Sequence, residues 1–148
     1  MRIGENMSRE SKIFTALSKG IVGKRVKEYE AFGWELLSIN GTDVSLSRET
    51  QNSVYPDLVK FEYEYEALRE SQSALAVPIQ PEPFSVFWAL IGLLIFVLPG
   101  VLYIVFKIMM NKKYNEKFLE YTTEFNRLEN EIKNTCDKSR ATFFSRKQ

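Results

Sequence analysis

The sequence contains no histidine and only one cysteine, Cys136. Without histidine, the chain lacks the commonest general base, the commonest metal ligand and the one side chain that normally titrates near neutral pH. One thiol cannot form an intrachain disulfide or a structural zinc site, so we interpret Cys136 as an incidental free thiol in preference to a redox or acylation site. With no P-loop and no Ser-His-Asp or Cys-His set, we expect no enzymatic activity, no catalytic or metal-binding residues and no cofactor.

An excess of charge of one sign is also lacking. The 20 basic and 19 acidic residues give a formal net charge of +1, which provides no strong field toward nucleic acid. The basic cluster Gly23–Lys27 is short and lies in an acidic half, since residues 1–83 carry 10 basic and 13 acidic side chains. Residues 107–148 carry 10 basic and 6 acidic side chains, and the segment between carries none. We therefore expect no nucleic-acid partner.

The uncharged segment predicts insertion into a membrane. No charged side chain occurs in the 22 positions from Ser85 to Phe106, and a helix of that length reaches roughly 33 Å, which matches a hydrocarbon core of about 30 Å. A chain of 148 residues offers too little protein to bury a helix that is apolar on every face. Trp88 near one end and Tyr103 near the other, just before Lys107, suit headgroup depth. The predicted membrane anchors are Trp88, Pro99, Gly100, Tyr103 and Lys107.

The pair Pro99-Gly100 leaves two geometries open for this segment. Proline kinks a helix, and such kinks are tolerated in membrane-spanning helices. Pro-Gly is also a turn signal, so the run could form a shallow hairpin with arms Phe84–Leu98 and Val101–Met110, neither of which is long enough to span. A turn exposed to lipid at that depth is costly. Length therefore favours the kinked single span over the re-entrant hairpin.

The distribution of basic residues predicts the orientation. Lys107, Lys112, Lys113 and Lys117 follow the segment, whereas Arg69 is the only base in the 15 residues before it, so the positive-inside rule places the C-terminal side in the cytoplasm. A single span would then put residues 1–83 outside, although the first 20 residues contain no signal-peptide core. A hairpin would keep both ends inside. We expect an integral cell-membrane protein with a cytoplasmic tail, and the side of its N-terminal domain stays open.

The N-terminal part predicts a small α+β domain over residues 1–70. Apolar residues at steps of three and four predict one or two helices that end at Gly33, and they are Ile13, Leu17, Ile21, Val22, Val26 and Tyr29. Asn40-Gly41 between two apolar runs predicts a β-hairpin with a type I′ turn. After a polar loop closed by Pro56, strict alternation of apolar and charged residues from Val59 to Ala67 predicts a third antiparallel strand.

The sequence FGWELLSI (Phe32–Ile39) resembles a short, uncharacterised bacterial domain in which a helix ends at Gly-Trp-Glu and a strand follows. The resemblance covers Val26–Leu68, and its distinctive element is Gly33-Trp34-Glu35-Leu36. That family usually has a strand before the helix, and MRIGENMS (residues 1–8) does not read as one. The resemblance implies a small accessory or scaffold domain and brings no catalytic residues.

Beyond the domain we expect a Pro-rich linker at residues 71–83 and, after the membrane segment, an amphipathic helix at residues 111–135. Apolar residues of this helix step by 4-3-4-3-4, which favours pairing with a partner or with itself, or packing on the chain's own domain or on the membrane surface. A parallel homodimer would set Glu124 against Glu129, which disfavours it. Residues 136–148 we interpret as a flexible basic tail. The predicted helix-pairing residues are Tyr114, Phe118, Tyr121, Phe125, Leu128 and Ile132.

The expected fold is therefore α+β: a helix on a three-stranded antiparallel sheet, followed by a Pro-kinked transmembrane helix that continues into a long amphipathic helix. The expected function is that of a membrane-anchored accessory or scaffold protein acting through protein-protein interaction, with the lipid bilayer and another membrane protein, or a second copy, as partners. A subunit of a homo-oligomeric channel or pore is the alternative, which the scarcity of polar residues in the apolar run disfavours.

Overall fold

A computed structural model describes residues 8–95 and 97–145, which belong to two compact units. The first unit comprises residues up to Ser71 together with those from Leu128 onward, and the second comprises Gln72–Arg127. The architecture is an α+β mix with a three-stranded antiparallel sheet and a long final helix, as the sequence predicted at this level. The elements are β1 (Arg9–Thr15), α1 (Lys19–Glu30), β2 (Glu35–Asn40), β3 (Asp43–Glu49), α2 (Tyr55–Ser73), α3 (Val86–Ile95) and α4 (Val97–Ser145).

A strand occupies the place where the sequence predicted the beginning of the first helix. Strand β1 pairs antiparallel with β3, and α1 begins only at Lys19. Ile13 lies in β1, Leu17 in the following loop and Ile21 in α1, so their helical spacing does not reflect one helix. Ile13 and Leu17 are also exposed. The chain therefore has a strand before its helix, just after the segment 1–8 where the sequence showed none. Residues 1–7 lie outside the described residues.

Gly33 ends the α1 segment, as predicted. Its φ of 81° lies in the left-handed region that favours glycine. The backbone N–H of Trp34 donates to the Tyr29 carbonyl at 3.3 Å, and that of Gly33 donates to the Glu30 carbonyl at 3.1 Å. These two bonds are those of a Schellman motif, which satisfies carbonyl groups left open at the helix end and turns the chain into β2.

The β2–β3 hairpin is confirmed, with a different turn from the one expected. Asn40 pairs with Asp43, so the two-residue loop is Gly41-Thr42. Only Gly41 has a positive φ, of 68°, which fits the first central position of a type II′ turn and not type I′. The sheet order is β1-β3-β2, which leaves β1 and β2 at its edges.

The predicted third strand at Val59–Ala67 is wrong, because this segment lies in helix α2. The alternation of apolar and charged residues coexists there with a helical spacing, and the buried side chains follow the helical one. Glutamates, Ala67 and Leu68 favour a helix, and Pro56 lies in the first turn, where proline is tolerated. The residues on the packed face, in steps of 4-3-4-3, are Val54, Leu58, Phe61, Tyr65 and Leu68.

The Pro-kinked transmembrane helix is also corrected. The apolar run forms two helices, α3 and the start of α4, on either side of Phe96, which lies outside the described residues. Pro99 is the third residue of α4, where a missing N–H removes no helical hydrogen bond, so it neither kinks a long helix nor forms the turn. Over residues 8–95 and 97–145, no helix is both long enough and apolar enough to cross a bilayer.

The C-terminal segment is helical and packed where the sequence predicted a flexible tail. Helix α4 continues to Ser145, and Cys136 and Ser139 are buried. The Ser139 hydroxyl donates to the Ala31 carbonyl at 2.8 Å, which ties α4 to the end of α1. Small side chains at these positions allow the close approach of two helices. Arg146 and Lys147, also assigned to the tail, lie outside the described residues.

A buried carboxylate joins the elements of the first unit. Glu62 of α2 accepts a hydrogen bond from Trp34 Nε1 at 3.0 Å and forms ion pairs with Lys12 of β1 at 2.6 Å and Arg48 of β3 at 2.8 Å. The Arg48 guanidinium lies 4.3 Å from the centre of a Trp34 ring and also pairs with Glu10. Burial lowers the pKa of Lys12, but its bonds to Glu62 and Glu66 outweigh this and raise it overall. The sheet is thereby held to α2 by paired charges as well as by apolar contact.

We expect Gly33→Ala to lower the free energy of unfolding by about 1–2 kcal/mol, because alanine is strained at a left-handed φ. Its Cβ would also approach the Leu58 side chain to 3.1 Å. Gly23→Ala is the matched control: it adds a Cβ to open space inside α1 and should stabilise by about 0.5–1 kcal/mol. Denaturant unfolding followed by Trp34 fluorescence in a Trp88→Phe background measures both. Equal effects at the two glycines would contradict the assigned role of Gly33.

We expect Glu62→Gln to lower the free energy of unfolding by about 3–5 kcal/mol, because it removes one partner of a buried ion pair and leaves the buried Arg48 with Glu10 as its remaining carboxylate partner. Glu64→Gln, an exposed change on the same helix, should stay within about 0.5 kcal/mol of the wild type. The same fluorescence assay applies. A loss below about 1 kcal/mol for Glu62→Gln would refute the network's structural role.

Candidate membrane-contact surface

The chain reverses direction between α3 and the beginning of α4. The rings of Phe84 and Tyr103 lie 5.8 Å apart, and Lys107 Nζ donates to the Glu82 carbonyl at 3.1 Å. A continuous helix would separate residues 84 and 103 by roughly 28 Å at about 1.5 Å per residue. These contacts exclude a straight or gently kinked helix through this segment. Residues 82–107, hereafter the apolar hairpin, therefore form an antiparallel helical pair.

Small residues lie at the inner side of the apolar hairpin. Ala89 of α3 and Gly100 of α4 are both buried. Small side chains let two helix backbones approach closely, which is how helices pack when large apolar side chains must face outward. Gly100, predicted as part of a kink or turn, therefore occupies a packed position within α4.

The outer side of the apolar hairpin is covered by exposed apolar side chains. No charged residue occurs between Glu82 and Lys107, so the hairpin carries no charge except at its open end. Soluble monomers rarely expose contiguous apolar patches larger than a few hundred Å², and larger ones mark interaction or membrane sites. The exposed members are Phe84, Val86, Phe87, Trp88, Leu90, Leu94, Val101, Leu102, Val105 and Phe106.

Three of the predicted anchor residues lie toward the open end of the hairpin. Tyr103 contacts Phe84 there, Lys107 bonds the Glu82 carbonyl, and Trp88 lies in the first turn of α3 with its ring exposed. The sequence placed Trp88 and Tyr103 at opposite ends of a span, and the contacts correct this. In a hairpin, residues far apart in sequence can occupy the same depth. Pro99 is exposed in the first turn of α4.

The predicted helix-pairing residues divide between the two units. Tyr114, Phe118, Tyr121 and Phe125 stack along one face of α4, with ring centres 5.8, 6.5 and 6.0 Å apart in succession. Phe118 and Phe125 are exposed. We call these four residues the aromatic stripe.

Leu128 and Ile132, by contrast, are buried within the first unit, where Ile132 joins the core with Val22 and Val26. The heptad spacing therefore serves two purposes. The C-terminal part of this heptad-spaced face packs on the chain's own domain, which was one of the alternatives drawn from the sequence. The N-terminal part of the face forms the aromatic stripe.

A groove of about 590 Å³ lies between α1 and the C-terminal part of α4 in the first unit. Cys136 lines it, but burial raises the pKa of this thiol to about 11, so little thiolate forms near neutral pH. The groove carries both charge signs, including Lys27, Lys133 and Asp137. Across the described part of the chain, no three cysteine or carboxylate side chains gather as metal ligands.

No protein-family model, no curated protein and no solved structure matches this chain. The apolar hairpin is the surface with the most distinctive chemistry. The sequence identified its location from the lack of charge, but only the contacts between Phe84 and Tyr103 and between Glu82 and Lys107 reveal its reversal.

We expect Leu94→Asp to weaken binding to phospholipid vesicles by about 100-fold. Leu94 is 90% exposed near the tip of the hairpin, and an aspartate in hydrocarbon costs about 3 kcal/mol. Ile79→Asp is the matched control, since Ile79 is 93% exposed but lies before the hairpin, and it should change binding less than about threefold. Vesicle flotation measures the partition coefficient. Equal losses for both variants would show that the hairpin tip does not enter lipid.

Proposed function

We propose that this chain is a membrane-anchored accessory or scaffold protein whose apolar hairpin enters one leaflet of the cell membrane. The observation that carries the proposal is the contact of Phe84 with Tyr103, which brings the two helices together in antiparallel orientation. The surface of this helical pair is apolar and carries no charge. Such a surface is unfavourable in water and favourable in hydrocarbon. The re-entrant form replaces the single span that length alone favoured.

The dimensions of the hairpin suit one leaflet. Helix α3 has 10 residues, which gives a length of about 15 Å, or half of a hydrocarbon core of about 30 Å. Both arms are helical, so most of their backbone groups are satisfied within each arm. The first N–H groups of a helix have no acceptor within the helix, and Pro99 in the first turn of α4 has no N–H. It therefore reduces the number of unsatisfied donors near the tip by one.

The flanking charges favour a cytoplasmic position for both ends. A hairpin returns the chain to the side that it left, so the residues before and after it share a compartment. Lys107, Lys112, Lys113 and Lys117 follow the apolar segment, and such clusters stay in the cytoplasm. In this arrangement the first unit does not cross the membrane.

The aromatic stripe is the proposed contact with another membrane protein. Its rings form an exposed apolar face on α4, directly after the lysines that follow the hairpin. Aromatic residues supply much of the binding energy at protein interfaces. Because Leu128 and Ile132 are buried in the first unit, the proposed contact is confined to residues 114–125.

Single cysteines on the two sides of the hairpin test the topology in intact cells. We expect Ser53→Cys and Asn115→Cys, both at exposed positions, to resist a membrane-impermeant thiol reagent until the membrane is permeabilised. The native Cys136 is buried with a raised pKa and serves as a low background. Labelling of both variants after permeabilisation is the positive control.

Labelling of only one of the two cysteines in intact cells would mean that the chain crosses the membrane between them, and the re-entrant hairpin would be wrong. Recovery of the chain in the supernatant after cell lysis and high-speed centrifugation would refute membrane anchoring as a whole. The two results are distinguishable because the first still leaves the chain in the membrane fraction.

A further inference from the structure

Strand β2 forms an open edge of the sheet. In the described part of the chain it pairs with β3 alone, so the N–H and C=O groups along its other side have no strand opposite them. All six of its residues, Glu35–Asn40, are exposed. An exposed sheet edge is a template for pairing with another strand unless charges, prolines or covering elements block it.

The apolar core of the first unit extends to this edge strand, where its outermost side chains are exposed to solvent. Leu36 pairs with Leu46 and Ile39 with Val44, and both β3 partners are fully buried. Directly opposite residues lie on the same face of a sheet, so Leu36 and Ile39 extend the core face outward. They are nevertheless 42% and 50% exposed. Leu37, at the irregularity in the ladder, is 61% exposed.

The other edge strand is protected by charge. Strand β1 carries Arg9, Glu10 and Lys12, which are engaged in ion pairs across the unit. In β2 the only charged residue is Glu35, at its first position, and it contains neither lysine nor proline. The devices that normally deter edge pairing are therefore present on β1, while β2 has only the ladder irregularity near Leu37.

We infer that β2 pairs antiparallel with β2 of a second copy of this chain, which joins two three-stranded sheets into one sheet of six strands. This interface is separate from the apolar hairpin and the aromatic stripe, and it does not depend on the proposed membrane anchoring. The partner is a second copy because the strand is complementary to itself in the antiparallel direction.

The register follows from the order of residues in β2. When Glu35 lies opposite Asn40 of the second copy, Leu36 lies opposite Ile39, and the two-fold axis repeats this apolar pair so that it occurs twice. Each half-exposed core residue then gains an apolar neighbour, and no carboxylate meets another. Parallel pairing in register would instead set Glu35 against Glu35.

The test is the mass of the purified full-length chain in mild detergent, measured by size-exclusion chromatography with light scattering. We expect a protein mass of two 17.2 kDa chains for the wild type and of one chain for Leu37→Lys. Ile13→Lys is the matched control, because Ile13 is an equally apolar residue, 75% exposed, on the other edge strand. It should remain a dimer. Circular dichroism checks that each variant is folded.

The register is tested by Leu36→Cys combined with Ile39→Cys. Mild oxidation should link two chains of this variant through disulfides, whereas Ile13→Cys should stay unlinked. A single-chain mass for the wild type at every concentration would overturn the inference. A dimer that persists in Leu37→Lys would place the contact elsewhere and overturn it as well, and failure of the paired cysteines to crosslink would refute the register.

Discussion

The buried Glu62 carboxylate is the constraint on which the first unit depends. It accepts from Trp34 and pairs with Lys12 and Arg48, so one side chain on α2 fixes β1, β3 and the turn that leaves α1. A buried charge is tolerated only when it is paired and hydrogen-bonded, which makes its partners mutually dependent. Around it, Phe32, Leu46 and Tyr65 are fully buried and belong to one apolar core.

The second unit follows a different principle. Its apolar hairpin has no charged residue between Glu82 and Lys107, and ten of its described large apolar side chains are exposed. Among its described residues, one ring pair and one lysine-to-carbonyl bond join the two arms, and Ala89 and Gly100 are buried. Such a surface is stable only against an apolar environment, and our proposal of insertion into one leaflet supplies that environment.

The errors of sequence interpretation have one cause, which is that short patterns are compatible with two periods. Tyr63, Tyr65 and Ala67 alternate with glutamates as in a strand, but Leu58, Phe61, Tyr65 and Leu68 also recur as in a helix, and burial of Glu62 requires the helix. Ile13 and Leu17 matched a helical spacing that crosses a strand boundary. Local composition favours a helix in the first case without excluding the strand pattern, and the partners that Glu62 finds on distant strands decide in favour of the helix.

By itself, the sequence determined the features that depend on a single residue or on local composition: the helix end at Gly33, the β2–β3 hairpin at Gly41, the uncharged run and the absence of histidine chemistry. Backbone strain and local apolar content act without reference to distant residues. Only the tertiary structure decided that the run reverses between Phe84 and Tyr103, that α2 is a helix, and that Leu128 and Ile132 are buried while the aromatic stripe is not. Each of these depends on contacts between residues far apart in sequence, whose energies exceed local preferences.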